Sequence, residues 1–567
     1  MISNLPPFSI FFVGALLLLL APVRARRWLT LAIPVVGLIN MATLADGLQY
    51  NFALFNMEVT LLRVDSLSVL FGWLFHIAAI LGGIFALHDK DLMQQSSSTV
   101  YAGSALGAVF AGDLVTLFVF WELLAVSSVF LIWARRTPRA YAAGIRYLIY
   151  QVLSGVILMA GALMYFHNTG DTAFTKMTLD NAAAGLIFLA FGIKCAFPFF
   201  HTWLTDAYPE ATPTGTVFLS AFTTKVAVYA LARGFPGTEI LVYIGAAMTC
   251  FPIFYAVIEN DLRRVLGYSM INQIGFMVCG VGIGTELALN GAVSHAFNDV
   301  IFKGLLMMTM GAVLYRTGKI NGSDLGGLYK SMPKTTVFCI VGAASISAFP
   351  LFSGFVSKSM VMAAALEEGY WIVWVMLLFA SAGVFHHAGI KIPFFAFFSH
   401  DSGIRVKEAP TNMLIAMGLA AVLCIFIGTY PWLLYSMLPY STGYNPYDST
   451  HVLAQMQLLF FSALAFTWLK LKHIYPPELR STNLDVDWTF RKLAPAAIHR
   501  SVGFGRQLIL PLRNGTAQGF NAITDFAQRW HGEHSRLGGV QTVGTTIAIA
   551  LFVFALMLVW DLLSTLN

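Results

Sequence analysis

The sequence predicts an all-α protein that crosses a membrane about 14–16 times. Of its 567 residues, 57% are hydrophobic and only 11% are charged, whereas about a quarter of residues are charged in a typical soluble protein. The hydrophobic residues form continuous runs, for example at 9–23 and 545–560, rather than the alternating pattern of a membrane β-barrel. The basic residues lie in short segments between the runs, which indicates topology signals rather than a nucleic-acid partner.

The hydrophobic windows number roughly sixteen. They lie at about 8–22, 28–45, 66–87, 98–112, 114–133, 141–166, 182–203, 213–232, 238–257, 264–284, 288–315, 335–356, 370–398, 410–430, 452–471 and 544–564. Basic residues between them, at 24–27, 135–139, 263–264, 316–334 and 405–407, are expected on the cytoplasmic side. On our count, single crossings bring all of these segments to one side only if one or two windows are re-entrant or split. The sequence therefore leaves the helix count and the orientation open.

Two similar phrases indicate an internal repeat. Phe197-Pro198-Phe199-Phe200 and Phe349-Pro350-Leu351-Phe352 each lie in the fourth helix of a five-helix unit, counted from the window at 98–112. Because five is odd, the second unit is inverted. Pro198 and Pro350 lack an N–H and are expected to break their helices, as happens at transport sites where freed carbonyls line a hydrated cavity. A pair of ordinary proline kinks is the alternative interpretation.

The repeat divides the chain into six expected parts. They are N-terminal helices at 1–95, a first five-helix unit at 96–234, an inverted second unit at 235–400, further core helices at 401–472, a cytoplasmic amphipathic segment at 473–543 and a terminal membrane helix at 544–567.

Ionisable side chains lie inside five of the apolar windows. Each costs about 2.5–3.5 kcal/mol at the centre of a span, so it needs a partner, hydration or a function. The candidates for proton translocation are Glu122, Lys194, Lys225, His295, Asp299, Lys303 and Lys391. The spacing of the three that share the eleventh window, at i, i+4 and i+8, places them on one helix face, within about 80° of one another.

Glu122 and Lys194 are the strongest candidates for an acid–base pair. Desolvation raises the pKa of a buried carboxyl group and lowers that of a buried amine, so both types of group are able to exchange protons near neutral pH. Approach and separation of such a pair would take up or release one proton. A static ion pair that holds helices together is the alternative, and the further lysines at similar depth favour a pathway.

Other polar residues have simpler interpretations. Lys358 follows a predicted helix break and is expected to extend its ammonium group from a helix end toward the membrane surface. Asp206 and Glu210, near two prolines, are expected in a surface loop. His386 and His387 lie about one turn before Lys391 and are interpreted either as proton relays or as a polar helix end.

Several motifs, taken in order, resemble one family. They are Phe120-Trp121-Glu122-Leu123, Gly192-Ile193-Lys194 leading into Pro198-Phe199-Phe200-His201-Thr202-Trp203-Leu204, Asp261-Leu262-Arg263-Arg264 before Tyr268-Ser269, and His295-Ala296-Phe297 leading to Phe302-Lys303-Gly304-Leu305-Leu306. They are similar to those of the antiporter-like proteins: the proton-pumping membrane subunits of respiratory complex I, the large subunits of Mrp-type sodium/proton antiporters, and relatives in membrane-bound hydrogenases. The resemblance covers roughly residues 50–428 and implies a core of fourteen helices with two inverted five-helix units. It assigns proton-channel roles to Glu122, Lys194, Lys225, Lys303 and Lys391.

Within the family, the lysine at position 225 resembles the D-type large subunit of Mrp antiporters. One departure concerns Asp299, where many members carry a second histidine; an acid four residues before Lys303 is expected to pair with it and hold it charged. The segment from Lys470 to about Val543 is a second departure. Helical spacing of Phe520, Ile523, Phe526 and Trp530 suggests an amphipathic helix there, either a strap along a neighbouring subunit or a cytoplasmic lid.

The sequence thus predicts a subunit of a multisubunit complex in a bacterial inner membrane that moves protons, or exchanges sodium for protons. Its expected partners are other membrane subunits and the bilayer, and it needs no cofactor or metal of its own. It is expected to be a transport subunit rather than an enzyme in itself, within an oxidoreductase or translocase complex. One alternative is a proton-moving module coupled to a quinone oxidoreductase, a hydrogenase or an inorganic-carbon complex. Another is a structural subunit that does not conduct.

Overall fold

The computed structural model describes residues 4–54, 57–480, 483–532 and 543–565. In this part of the chain eleven helices are long and apolar enough to cross a membrane, and three shorter apolar helices accompany them. The protein is a multi-pass membrane protein, and the predicted helical fold class is confirmed. The chain divides into two compact units, Met1–Asn483 and Leu484–Asn567.

The N-terminal part contains three helices and a hairpin that the all-α prediction omits. The elements are α1 (Pro7–Leu20), α2 (Val23–Met41), β1 (Gln49–Leu54), β2 (Met57–Arg63) and α3 (Ser66–Phe85), with β1 and β2 antiparallel. Asp113 anchors the hairpin, because its carboxylate accepts a 2.8 Å hydrogen bond from the backbone N–H of Thr60. The pattern of these short strands is too weak to predict them from sequence.

The first repeat unit contains seven helices, which correspond to the five predicted windows with two of the windows broken. Its helices are α4 (Leu92–Phe110), α5 (Leu114–Trp133), α6 (Pro138–Thr169), α7 (Ala182–Lys194), α8 (Thr202–Ala207), α9 (Gly215–Ala221) and α10 (Thr223–Gly234). A break near Pro198 separates α7 from α8, and α9 and α10 meet at Phe222.

The second unit repeats this order. Its helices are α11 (Ile240–Ile258), α12 (Leu262–Ile283), α13 (Glu286–Thr317), α14 (Pro333–Ile346), α15 (Ser353–Glu367) and α16 (Trp371–Val384). The last continues as π-helical turns at Phe385–Lys391 and Phe394–Phe398. Such turns widen a helix and often occur at functional sites.

Caps and connections also repeat between the two units. Asp113 caps α5 and Asp261 caps α12, each accepting two backbone N–H groups. The same two aspartates form isolated β-bridges, to Ala173 and Asn321 respectively. α6 and α13 both contain 32 residues and end at a left-handed glycine. Local sequence therefore specifies the same supersecondary structure twice.

The two proline-containing breaks have the same backbone conformation. Ala196 and Phe199 have φ of 61° and 72°, and Ala348 and Leu351 have 57° and 72°. Left-handed φ is costly for residues with a side chain. Its occurrence at both breaks shows built loops rather than ordinary proline kinks, and the loops leave helix-end carbonyls free for other donors.

The remaining helices follow the repeat. They are α17 (Thr411–Thr429), α18 (Trp432–Tyr435) and α19 (Ser449–Leu471) in the first compact unit, and α20 (Ala494–His531) and α21 (Val543–Thr565) in the second. Phe520, Ile523, Phe526 and Trp530 are exposed along α20. Residues 533–542 of the predicted amphipathic segment lie outside the described residues.

The basic loops meet at one face of the bundle, which we call the basic face. Arg136 forms a 3.0 Å ion pair with Asp91 in a neighbouring loop, and Arg316 donates a 2.9 Å hydrogen bond to the carbonyl of Glu408. The basic face comprises the loops at 86–91, 134–137, 259–261, 318–332 and 399–410. Each of these loops follows an odd-numbered window, so their common side does not depend on a re-entrant window. The hairpin lies on the opposite side, the hairpin face.

Candidate functional site: a buried line of ionisable residues

Most of the predicted translocation residues are buried in the helix bundle. The fully buried side chains are those of Lys194, Lys225, His295, Asp299, Lys303 and Lys391. Charged groups at such depth are retained in membrane proteins when they are paired or when they serve a pathway. Their partners therefore decide what each is able to do.

An ion pair joins the two repeat units. Nζ of Lys225, on α10, lies 2.6 Å from Oδ2 of Asp299, on α13, and both side chains are inaccessible to solvent. Lys225 also donates a 3.1 Å hydrogen bond to the carbonyl of Ser220, which the break between α9 and α10 leaves free. A carboxylate from one unit thus compensates an ammonium group from the other.

This pairing corrects the expected role of Asp299. The sequence predicts a partnership with Lys303, four residues later on the same helix, whereas Lys303 donates a 2.8 Å hydrogen bond to the hydroxyl of Ser269 on α12. The carboxylate pairs with a lysine from another helix rather than with Lys303, because a buried charge needs a counter-charge in direct contact. Asp299 and Lys303 still share one face of α13, a single turn apart.

Glu122 and Lys194 lie close together, but Lys194 makes its contacts with the residue next to the acid. It donates a 2.6 Å hydrogen bond to the carbonyl of Trp121 and lies 4.3 Å from the centre of the indole ring. Oε1 of Glu122 is buried and has no hydrogen-bond partner within the described part of the chain. In this arrangement a small movement of either side chain would join the acid and the base.

Gly155 makes room for the Glu122 carboxylate. A Cβ atom at this position on α6 would overlap Oε1 of Glu122, whereas a Cβ at Gly185 on α7 would meet nothing within 4 Å. We expect Gly155→Ala to leave the fold intact, because the end of a flexible side chain can move, and to lower ion flux about tenfold by displacing the acid. Flux in vesicles is the measurement, and Gly185→Ala is the control. Equal flux in both variants would show that the position of the carboxylate does not matter.

His295 belongs to a chain of hydrogen bonds across several helices. Its Nδ1 lies 3.0 Å from the hydroxyl of Ser357 and its Nε2 lies 3.1 Å from Oε1 of Gln273. Gln273 in turn donates to Asn272, and Asn272 donates to the carbonyl of Thr249. Ser357 and Gln273 thereby fix the orientation of the ring.

Lys358 is a buried ionisable residue whose location the sequence interpretation missed. Instead of extending to the membrane surface, its side chain is buried, with 2% exposure. Nζ donates a 2.8 Å hydrogen bond to the carbonyl of Ile346, the last residue of α14 before the second break. The lysine also lines a cavity of about 160 Å³ that reaches His451 at the start of α19, a volume sufficient for roughly five waters. Its location directly after a break made it resemble a helix-end lysine.

Lys391 lies at the basic-face end of the line, in the π-helical turn. It donates hydrogen bonds of 2.6 and 2.7 Å to the carbonyls of Val257 and Glu259 and forms a 3.0 Å ion pair with Glu478. No sequence pattern singled out Glu478, because it lies in a polar stretch without periodicity.

The two histidines before Lys391 have different surroundings. His387 is fully buried, whereas His386 stacks on Tyr475 with 5.4 Å between ring centres. Both rings therefore lie within the protein rather than at a polar helix end.

Asp206 and Glu210 are not in an exposed surface loop. Asp206, near the end of α8, forms a 2.7 Å ion pair with Arg146. Glu210 is 5% exposed and pairs with Arg135 and Arg139 at 3.3 and 2.7 Å. These ion pairs stabilise the basic-face end of the first unit, because two arginines fix the position of the Glu210 carboxylate.

We call these buried ionisable groups, which extend across the two units, the buried line. Its centre is the Lys225–Asp299 ion pair, with Lys194 in the first unit and Lys303 in the second. Within the second unit, Lys391 lies at the basic face and Lys358 lies beside the cavity that reaches α19.

Comparison with known proteins agrees with this fold. Residues 111–424 match the family described as NADH:quinone oxidoreductase/Mrp antiporter, TM. The A-type subunit of the Na(+)/H(+) antiporter of Alkalihalophilus pseudofirmus is 30% identical over 442 residues, which are 68% of this chain and 53% of that protein. The D-type subunit of the antiporter from the same organism is 30% identical over 315 residues, 52% of this chain and 64% of that protein. The chain therefore spans between half and two thirds of these relatives.

A solved structure extends the likeness along most of the chain. One chain of the archaeal membrane-bound sulfane sulfur reductase, a respiratory membrane complex, superimposes with a TM-score of 0.72 at 22% identity. The superposition covers 97% of this chain and 99% of that one. Together with the repeated five-helix units and the family match over more than half of the chain, it leads to one assignment: the protein is a member of the NADH:quinone oxidoreductase/Mrp antiporter family of transmembrane subunits.

Proposed function

We propose that this chain is an ion-translocating subunit of a multisubunit membrane complex and that it moves protons along the buried line, in cation/proton antiport. The observation that carries the proposal is the solvent-inaccessible ion pair between Lys225 and Asp299 across the two units. A purely structural bundle gains little from such a pair, because hydrophobic residues of similar volume are often equally stable.

Asp299 is the moving part of the proposed mechanism. It pairs with Lys225, and Lys303 lies one helical turn away on the same face. When the carboxylate turns from Lys225 to Lys303, the first ammonium group loses its counter-charge and gives up a proton along the buried line, and the second amine takes one up. One N–H bond breaks at Lys225 and one forms at Lys303. The shift transfers charge from the first unit to the second without moving a helix.

Approach and separation of Glu122 and Lys194 bind and release a proton in the first unit in the same way. Their separation in the structure corresponds to the open form of the switch, and Lys358 and Lys391 are the outlets of the second unit. The positive-inside rule assigns the basic face to the cytoplasm, and we place the protein in a bacterial inner membrane among other membrane subunits. Protons, or sodium and protons, are the proposed cargo.

The type of Mrp subunit is proposed from one side chain. The A-type and D-type subunits of the antiporter are both 30% identical to this chain, and the alignment with the A-type is longer. We favour the D-type because a lysine occupies position 225, where it makes the central ion pair.

A proton-moving module coupled to an enzyme is the second candidate. The superposition with a chain of the sulfane sulfur reductase covers nearly the whole of both chains, which favours a shared architecture beyond the family core. Purification of the intact complex distinguishes the candidates: small membrane subunits alone support antiport, and a co-purifying redox or zinc protein supports the coupled module.

Lys194→Ala tests the proposal directly. In the purified complex reconstituted into vesicles, we expect the substitution to lower proton flux at least tenfold, because it removes the base beside Glu122 at the first break. Lys176→Ala, at an exposed lysine of the first unit, is the matched control and should keep wild-type flux. Wild-type flux in Lys194→Ala would support the non-conducting, structural alternative.

A further inference from the structure

A short segment after α19 closes the basic-face end of the second unit. This covering segment comprises residues 473–480. Tyr475 is 6% exposed and packs against Phe466 and Phe395 with ring centres 5.1 and 6.1 Å apart. Arg480 donates two 2.8 Å hydrogen bonds to the carboxylate of Asp324 in a basic-face loop. The segment is thus fixed on both sides of Glu478.

Among the described residues, Glu478 is the one acceptor of Lys391 that is itself able to take a proton. The ammonium group donates to the carbonyls of Ala256, Val257 and Glu259 at the end of α11, and it pairs with Glu478 at 3.0 Å. Helix-end carbonyls stabilise the charge through the helix dipole, but an amide oxygen accepts hydrogen bonds without binding a proton. A proton that leaves Lys391 toward the basic face is therefore expected to pass to this carboxylate.

The environment of Glu478 suits a proton acceptor. Its side chain is 5% exposed in the ion pair, and Oε2 has no hydrogen-bond partner among the described residues. Burial raises the pKa of the Glu478 carboxyl group, while Lys391 and Lys470 lower it and Glu259 raises it, and the net shift is upward. The raised pKa makes the carboxylate easier to protonate than an exposed glutamate.

We propose that Glu478 is the proton acceptor that connects Lys391 with the basic face, and that the covering segment is the gate built around it. The inference rests on the proposed function, since it assigns an outlet to the same path. In the transfer step an N–H bond of Lys391 breaks and an O–H bond forms on Glu478, which leaves a neutral amine and a neutral carboxylic acid. The ion pair is lost, the segment loosens, and the acid releases its proton to water at the basic face. Uptake is the reverse.

Proton flux through the reconstituted complex tests this inference, with four variants compared with wild type across a range of pH. The double variant Lys225→Met/Asp299→Leu, which removes both charges of the central ion pair, checks the proposed function. Glu368→Gln, at an exposed glutamate outside the line, is the matched control for removing a carboxylate. We expect Glu478→Gln to lower flux at least tenfold. Glu478→Asp should retain most of the flux with a shifted pH of half-maximal rate, because it keeps an acid on a shorter side chain. Hydrogen exchange of residues 473–480 reports independently whether the covering segment stays in contact with the second unit.

The outcomes separate the two proposals. If wild type carries no flux, or Lys225→Met/Asp299→Leu carries wild-type flux, the proposed function fails and the proposed gate fails with it. If wild type carries flux and the central-pair variant does not, but Glu478→Gln transports at the wild-type rate with an unchanged pH profile, only the gate is overturned. Equal losses in Glu478→Gln and Glu478→Asp, with equally faster hydrogen exchange in the segment, would show a structural cover rather than a proton acceptor and would also overturn it.

Discussion

Asp299→Leu is expected to destabilise the protein by about 3–5 kcal/mol, because it leaves the ammonium group of Lys225 buried without its counter-charge. The pair is inaccessible to solvent on both sides, so water cannot replace the carboxylate. The double variant Lys225→Met/Asp299→Leu should recover most of this loss, since it replaces both charges by apolar side chains of similar size. Thermal unfolding of the single and double variants in detergent measures the effect.

The reciprocal single variant is the control for this cycle. Lys225→Met leaves Asp299 without its ammonium partner, and we expect a loss similar to that of Asp299→Leu. Additive losses in the double variant would contradict a direct ion pair and would indicate that each residue is stabilised by other neighbours.

Lys358→Met is expected to reduce proton flux at least tenfold with little loss of stability. The substitution keeps the length and apolar packing of the side chain but removes the proton-binding group beside the cavity of about 160 Å³. The carbonyl of Ile346 loses its 2.8 Å donor, and water in the cavity is able to replace it. Flux in vesicles and unfolding in detergent, measured on the same preparation, separate the two effects.

Lys319→Met is the matched control for this prediction. Lys319 is an exposed lysine in a basic-face loop, so its loss changes the charge of the protein by the same amount without touching the line. If Lys358→Met carries the same flux as Lys319→Met, Lys358 is not an outlet. The path through the second unit would then end at Lys391 alone.

Local sequence predicted the burial of Lys194, Lys225, Lys303 and Lys391, because each lies within an apolar run where a charge is costly. It also predicted both helix breaks, because Pro198 and Pro350 recur at the same place in the two units. The partners of these lysines were not predictable in the same way. Asp299 resembles a partner of Lys303 by helical spacing, yet the nearer ammonium group in three dimensions comes from α10.

The missed residues share one property: each meets its polar partner on another element of the fold. Lys358 lies close to a break and resembles a helix end until α14 and α19 enclose it. Glu478 is in a proline-containing stretch with no helical or strand period, and only the return of the chain to the π-helical turn after α16 brings it to Lys391. Sequence patterns indicate which face of a helix or strand is apolar, but they do not indicate which polar groups form pairs in the folded protein.

Proton flux through vesicles containing the double variant Lys225→Met/Asp299→Leu tests the central claim most directly. The variant is expected to fold with nearly wild-type stability, so a loss of flux cannot be attributed to unfolding. We predict that it carries no flux above that of empty vesicles, whereas wild type translocates protons under the same gradient. Wild-type flux in the folded double variant would contradict the account, because protons would then cross the protein without the ion pair that joins its two units.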